Sequence, residues 1–185
     1  MGVPNDWDAS RAVASCQIIT WAGSAWRAHR RKYQATDPGG ARRISGRYHR
    51  GLDQFPEDRI WPALYLSLGP ETCLGEVLRH ISITLLPQLN DFRLSEISLR
   101  LQVIVDCRDP SILGLTVDDL SDDYDYRVTQ DLAAAAIATG AEGILVPSAT
   151  RLGDNLILFP TRLHPDSQVT VVGSREPKLY VPRLL

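Results

Sequence analysis

Four short groups of residues contain the side chains whose types and spacing could carry out chemistry. These groups are Trp26-Arg27, Gly46-Arg47-Tyr48-His49, Tyr65-Leu66 followed by Glu76, and Val146-Pro147-Ser148 leading to Asn155-Leu156-Ile157-Leu158-Phe159-Pro160. Arginine guanidinium groups bind phosphate oxygens through paired, charge-assisted hydrogen bonds. A carboxylate stabilises positive charge that develops nearby in a transition state. The groups therefore offer anion binding, one negative charge and several hydrogen-bonding partners.

Each of these residues also has an ordinary structural interpretation. Glu76 would pair with Arg79 or His80, one turn later on the same helix. Arg27 and Arg47 would be two of many surface charges. Tyr65, in an apolar strand, would belong to the core. Ser148, which follows a proline, and Asn155 would be turn residues. Taken singly, the residues leave both interpretations open.

Several common enzyme motifs are missing from the sequence. There is no G-x-G-x-x-G, no G-x-x-x-x-G-K-[ST] and no G-x-S-x-G segment. The four histidines and three cysteines do not have the spacing of zinc ligands, so we expect no metal site. A cysteine nucleophile has no supporting partner in the sequence, and a free cysteine is usually a packing residue.

The distribution of charge is uneven. The formal net charge is −2, yet the segment from Arg27 to Arg50 holds eight basic residues and a single acidic one, Asp37. A basic segment on an otherwise acidic chain favours a local anion site over a general nucleic-acid surface, which normally makes the whole domain basic. A solvated basic loop explains the charge equally well.

Composition predicts one soluble domain. A length of 185 residues, with 44% hydrophobic and 23% charged residues, suits a single domain over residues 1–185 with its core at about 16–172. No apolar run is long enough to span a bilayer, and no signal core precedes Ala14, so we expect no membrane contact. Cys16, Cys73 and Cys107 are odd in number and far apart in the sequence, which favours a reducing cytoplasm over a disulfide framework.

Hydrophobic periodicity predicts the elements that position the candidate residues. It indicates two main helices, one beginning at Pro70 and one over about Tyr126–Thr139 that ends at Gly140. Residues typical of turns indicate a turn at 37–40 and a loop between elements at 53–62. The predicted strands are Gln17–Ala28 with a break at Gly23-Ser24, Ala63–Leu68, Leu99–Cys107, Gly143–Val146, Asn155–Phe159 and about Gln168–Val172. Strands and helices that do not strictly alternate indicate an α+β fold rather than a doubly wound parallel sheet.

The first main helix directs Glu76 away from the core. Leu74, Val77, Leu78 and Ile81 follow the i, i+3, i+4, i+7 spacing of a buried helical face. At roughly 100° per residue, Glu76 lies about 150° from the centre of that face. We therefore expect its carboxylate to point to solvent or into a cleft.

In order and content, the four groups resemble the RES-domain family, which is named for an arginine, a glutamate and a serine. The resemblance extends from about Ala25 to Pro160. It implies an α+β fold with mixed, mainly antiparallel sheets, similar to ADP-ribosyltransferases of the diphtheria-toxin kind. It also implies the toxin of a bacterial toxin–antitoxin pair, with NAD⁺ as substrate and no further cofactor. A helix-turn-helix antitoxin that covers the active site would be the partner.

The resemblance also implies roles for the residues that match. Glu76, Arg47 and Ser148 would be catalytic, with the carboxylate stabilising an oxocarbenium-like ribose as the nicotinamide–ribose bond breaks. The NAD⁺-binding residues would be Arg27, Tyr48, Tyr65 and Asn155. Arg27 and Arg47 would hold the pyrophosphate together. Nicotinamide leaves as a neutral molecule, so no general acid is required, unlike ordinary glycoside hydrolysis.

Family members often have Gly-Arg-Trp-Asn where this chain has Gly46-Arg47-Tyr48-His49. Tyrosine keeps an aromatic face, whereas His49 changes a hydrogen-bonding partner and titrates in mildly acid solution. A direct ligand role for His49 is therefore not expected.

The acceptor of the ADP-ribosyl group stays open at this point. Water or inorganic phosphate would give NAD⁺ depletion, and a protein side chain would give a mono-ADP-ribosyltransferase. A toxin directed at nucleic acid through residues 27–50 is the rival from another class, although Tyr33 and Tyr48 are few stacking residues for that purpose. A catalytically inactive binding module is a third alternative, which the presence of Arg47, Glu76 and Ser148 disfavours.

Overall fold

A computed structural model of the protein describes residues 3–79 and 89–180. The described helices are α1 (Ala9–Ala14), α2 (Gly39–Arg43), α3 (Pro70–Arg79), α4 (Val117–Ser121) and α5 (Arg127–Ala138). The described strands are β1 (Gln17–Arg30), β2 (Leu64–Ser67), β3 (Phe92–Asp106), β4 (Gly143–Pro147), β5 (Asp154–Leu158) and β6 (Gln168–Arg175). Within these residues, no helix is both long and apolar enough to cross a membrane.

Five of the strands form a closed ring of pairings. The order is β1–β2–β5–β4–β3, and β3 pairs again with β1 along nearly the full length of both strands. The β3–β4 pairing is parallel and the others in the ring are antiparallel, while β6 adds to β3 in antiparallel fashion. The predicted α+β fold with a mainly antiparallel sheet is confirmed.

Two apolar clusters lie on opposite faces of β4 and β5. Leu145 and Leu156 belong to a cluster that also contains Leu64 and Leu66 of β2. Ile144, Val146, Ile157 and Phe159 point the other way and pack with residues of α1 and α5. Burial on both faces explains why these two segments read as continuous apolar runs in the sequence.

The two main helices follow the sequence pattern closely. α3 begins at Pro70, with Leu74 fully buried and Val77 and Leu78 packed against the same cluster. Ile81, the last member of the predicted face, lies outside the described residues. α5 ends one residue before Thr139, and Gly140 has a φ of +85°, the left-handed conformation that favours glycine after a helix.

The predicted break in β1 at Gly23-Ser24 is wrong. Both residues pair with β3, and the strand runs on to Arg30, two residues past its predicted end at Ala28. The ring of Trp21 lies over Gly23, 3.3 Å from where a Cβ would stand, so an aromatic side chain covers the glycine. The irregularity in the pairing instead falls between Ile19 and Trp21.

Some other elements differ from the bounds predicted from the sequence, because polar residues interrupt the hydrophobic pattern there. β3 begins at Phe92 rather than Leu99, because the polar residues in its first half pair with both β1 and β6. The predicted turn at residues 37–40 instead leads into α2, where the carboxylate of Asp37 accepts a hydrogen bond from the backbone N–H of Gly39. The short helix α4 was not predicted, although Thr116 and Asp119 form a capping box at its start.

Two cysteines that are distant in the sequence are neighbours in the fold. The sulfur atoms of Cys16 and Cys107 lie 3.9 Å apart, just beyond the paired residues Gln17 and Asp106 of β1 and β3. Both are free thiols. The hydrogen bond with the thiol of Cys16 and, after it, burial raise the pKa of Cys107 above its ordinary value.

Candidate active site

A cavity of about 380 Å³ opens where α3, β2, β5 and the loop after α2 meet. Polar residues of its wall come from five separate segments of the chain. Its lining includes Gly46, Arg47, Tyr48, His49, Tyr65, Ser67, Glu76, Leu120, Tyr126, Ala149 and Asn155. The fold thus brings most of the candidate residues to one place.

The carboxylate of Glu76 is held firmly at one oxygen. Its Oε1 accepts hydrogen bonds from Ser148 Oγ at 2.6 Å, Asn155 Nδ2 at 2.8 Å and the backbone N–H of Ala149 at 3.1 Å. Its Oε2 lies 3.8 Å from Nη1 of Arg79, beyond hydrogen-bond length. Three donors on one oxygen fix the carboxylate and leave the other oxygen able to face a ligand. The sequence predicted that Glu76 points away from the core, to solvent or into a cleft, and its carboxylate lies at the cavity.

A second layer of hydrogen bonds sets the direction of these donors. Ser67 donates to Oδ1 of Asn155 at 2.7 Å, so the NH₂ of that amide must turn towards Glu76. Ser148 is fully buried and has a single hydroxyl proton, which it gives to Glu76. The contact of 2.7 Å between Ser148 and Thr150 therefore has Thr150 as its donor.

Arg47 reaches the cavity from the loop after α2 and is held by the segment after α4. Its guanidinium donates to the backbone carbonyls of Ser121 and Asp122 and to the carboxylate of Asp123, at 2.6–3.3 Å. The guanidinium carbon also lies 5.9 Å from the ring centre of Tyr126, within range of a cation–π interaction. Arg47 is therefore a positioned cation with most of its side chain enclosed.

Tyr65 and His49 form a hydrogen-bonded pair on the cavity wall. Nε2 of His49 donates to the carbonyl of Ile44 at 2.7 Å, which leaves Nδ1 to accept from the hydroxyl of Tyr65 at 2.9 Å. The same hydroxyl oxygen accepts from the backbone N–H of Tyr48. Burial lowers the pKa of His49 and raises that of Tyr65, so both groups remain neutral. Gly46 permits this approach, because a Cβ there would stand 2.5 Å from the imidazole.

A model of the RES domain matches residues 24–180 of the chain. The chain belongs to the RES-domain family. A comparison with curated proteins returns no match. Among solved structures, a chain of the Mycobacterium tuberculosis MbcT-MbcA toxin–antitoxin complex superposes with a TM-score of 0.75 at 26% identity, over 97% of each chain.

Within the RES domain, six of the seven candidate residues lie at the cavity. Arg47, Tyr48, Tyr65, Glu76 and Asn155 line the cavity, and Ser148 donates to the carboxylate of Glu76 from behind the wall. The catalytic and binding roles of these residues stay predictions.

Two of the seven candidates, Tyr48 and Arg27, are held in a way that differs from the prediction. Tyr48 is 3% exposed and belongs to a core cluster, and its hydroxyl group donates a hydrogen bond to the carbonyl of Leu120. Most of its aromatic ring therefore contacts core residues. Arg27 lines a neighbouring pocket of about 170 Å³ that shares only Ala28 with the cavity. Its guanidinium donates through Nη1 to the carbonyl of Ala35 and through Nη2 to the carbonyl of Asp37, so Arg27 braces the loop that precedes α2.

Sequence reasoning did not identify several residues of this site. Ser67 carried one signal, a polar residue at the end of an apolar strand. Arg79 was noted only as an ordinary helical partner of Glu76. Tyr126 and Asp123 carried no local signal, because their contacts join segments far apart in the chain.

Proposed function

We propose that this RES-domain protein is a toxin that cleaves the nicotinamide–ribose bond of NAD⁺. The observation that carries the proposal is the fixed carboxylate of Glu76, held through Oε1 by three donors inside a cavity. Preorganised charge of this kind stabilises the sugar cation as it forms, at no reorganisation cost during the reaction.

The reaction suits a site with a single carboxylate. Nicotinamide carries a positive charge while attached to the ribose and leaves as a neutral molecule, so the positive charge moves to the sugar. Glu76 stabilises that charge through its less engaged oxygen, Oε2. Ser148 and Asn155 act on the carboxylate and keep it oriented. No second carboxylate is required as a general acid, in contrast to ordinary glycosidases.

Other residues of the cavity supply binding. Arg47 offers a guanidinium to a phosphate of the dinucleotide. The aromatic ring of Tyr65 is partly exposed in the cavity, while its hydroxyl is engaged by His49, so the ring is positioned for stacking on a flat ligand. Tyr126 provides a second aromatic wall.

The charges of residues 27–50 support a small anionic ligand over a nucleic acid. Arg31 pairs with Glu176, Arg42 with Glu57 and Arg50 with Asp131. These pairs neutralise much of the basic surface that the nucleic-acid alternative requires. A steep salt dependence of RNA binding would reverse this assignment.

The partner we propose is an antitoxin that covers the cavity, of the helix-turn-helix type in line with the family resemblance. The MbcT-MbcA structure is described as a toxin–antitoxin complex, which supports a protein partner for a chain of similar fold. Expression of the chain alone should then stop growth and deplete cellular NAD⁺. Co-expression of a helix-turn-helix protein encoded next to it should prevent both effects. Growth arrest at unchanged NAD⁺ would contradict the proposal.

The decisive experiment incubates purified protein with NAD⁺ and identifies the products by mass spectrometry, with and without inorganic phosphate. We expect free nicotinamide in both. Free ADP-ribose identifies water as acceptor, ADP-ribose 1″-phosphate identifies phosphate, and a protein that gains the mass of ADP-ribose identifies a transferase. Glu57→Gln is a matched control, because Glu57 is exposed and, within residues 3–79 and 89–180, forms its ion pair with Arg42, outside the cavity. Absence of nicotinamide release from folded protein would refute the function.

A further inference from the structure

One carboxylate bridges two arginines beside the cavity. Oδ1 of Asp123 lies 2.6 Å from Nη2 of Arg47, and Oδ2 lies 2.9 Å from Nη2 of Arg79. The two arginines come from separate segments, the loop after α2 and the last turn of α3. The side chains of Arg47 and Arg79 are partly exposed, at 15% and 27%.

This pair of guanidinium groups lies next to the reacting carboxylate. Arg79 follows Glu76 by three residues on α3, and Nη1 of Arg79 is 3.8 Å from Oε2 of Glu76. Arg47 lines the cavity itself. An anion bound by both arginines would therefore lie at the edge of the cavity, close to Glu76.

The bridging carboxylate matches the chemistry of a phosphate group. Carboxylates and phosphates both accept hydrogen bonds through two oxygens from guanidinium donors, and arginine suits both. A phosphate offers more oxygens and more charge than a carboxylate, so it would compete well for the same donors. The segment that carries Asp123 is exposed, with Tyr124 98% exposed beside it, so it has room to move away.

We propose that Arg47 and Arg79 form a single phosphate-binding site and that Asp123 occupies it as an internal competitor. This proposal adds Arg79 to the substrate-binding residues. The role of the site in NAD⁺ cleavage rests on the proposed function. The pair Arg47–Arg79 then takes the place that Arg27 was expected to share. The occupant is either a phosphate of the dinucleotide or a free inorganic phosphate.

An internal competitor weakens the apparent affinity for the ligand. The observed dissociation constant for phosphate rises as the fraction of molecules in which Asp123 has left the two arginines falls. Two partly exposed ion pairs must separate before the phosphate binds, and each such pair contributes little. Removal of the competing charge should therefore tighten phosphate binding by about three- to tenfold.

The test measures binding of inorganic pyrophosphate by calorimetry at low salt, without turnover. Asp123→Asn should bind pyrophosphate about three- to tenfold more tightly than the wild type. Asp125→Asn is the matched control, since Asp125 lies in the same segment but pairs with Arg127, and its affinity should not change. Arg79→Gln should weaken binding at least about tenfold, because half of the guanidinium donors are lost.

Parallel titrations distinguish the two sources of phosphate. Tighter binding of ADP-ribose than of inorganic phosphate by Asp123→Asn assigns the site to the dinucleotide, and the reverse assigns it to a free phosphate. Unchanged or weaker pyrophosphate binding by Asp123→Asn would overturn the proposal, since it would make Asp123 a support for the arginines. The result is independent of catalysis, because pyrophosphate binding is measured whether or not the protein releases nicotinamide from NAD⁺.

Discussion

The side-chain amide of Asn155 donates to the carboxylate of Glu76 at 2.8 Å, although 79 residues separate the two in the chain. The contact depends on the antiparallel pairing of β2 with β5, which sets Ser67 opposite Asn155. Ser67 then fixes which end of the amide faces the carboxylate. The orientation of Glu76 is thus built into the sheet.

Replacement of Ser67 tests that orientation. In Ser67→Ala the amide of Asn155 loses the partner of its Oδ1 and is free to rotate, so Glu76 loses a donor part of the time. One such hydrogen bond contributes about 1 kcal/mol, and we expect kcat to fall about fivefold with little change in KM. Ser98→Ala, at an exposed position of β3, is the control. Equal kcat values for the two variants would remove Ser67 from the account.

Arg27 should contribute to stability through the segment that it braces. Arg27→Ala leaves the carbonyls of Ala35 and Asp37 without their donor, and we expect the free energy of unfolding to fall by about 2 kcal/mol. Arg43→Ala, an exposed residue of the same pocket, should change it by less than about 0.5 kcal/mol. Urea unfolding measures both. A stable Arg27→Ala protein with greatly weakened NAD⁺ binding would instead restore the pyrophosphate role.

His49 should make stability depend on pH. Burial lowers its pKa below the ordinary value of 6.5, so near pH 6 the unfolded chain binds a proton that the folded protein does not. The free energy of unfolding therefore falls as the pH drops below about 6.5. Protonation also makes Nδ1 a donor, which ends its acceptance of the Tyr65 hydroxyl.

The measurement is the slope of unfolding free energy between pH 7.5 and 5. His49→Asn should flatten that slope, though not abolish it, because burial lowers the pKa of His29 in the same direction. An identical slope in the wild type and in His49→Asn would contradict the prediction.

Arg47 should act mainly in binding. An ammonium group does not reproduce the guanidinium fork, so Arg47→Lys should raise KM for NAD⁺ about tenfold and lower kcat much less. Nicotinamide mononucleotide, which lacks the second phosphate, should be a poorer substrate of the wild type. Equal KM values for the two substrates would argue against a phosphate contact.

Local patterns predicted the parts of the fold and site that depend on neighbouring residues. The face of α3, and with it the direction of Glu76, follows from helical periodicity alone. The placement of Arg27 does not, since it depends on carbonyls of a loop eight to ten residues away that has no periodic signal. The bridge from Arg79 to Asp123 joins residues 44 positions apart, so only the assembled fold reveals it.

The central claim is that the carboxylate of Glu76 stabilises the ribose cation while nicotinamide departs. The most direct measurement is the rate of nicotinamide release from NAD⁺ by Glu76→Gln and wild-type protein, with NAD⁺ affinity determined separately for each. Glutamine keeps the size of the side chain and removes the charge, so we predict a fall in kcat on the order of 10²–10³ with similar affinity for NAD⁺. Release at the wild-type rate by a folded Glu76→Gln protein would contradict the account.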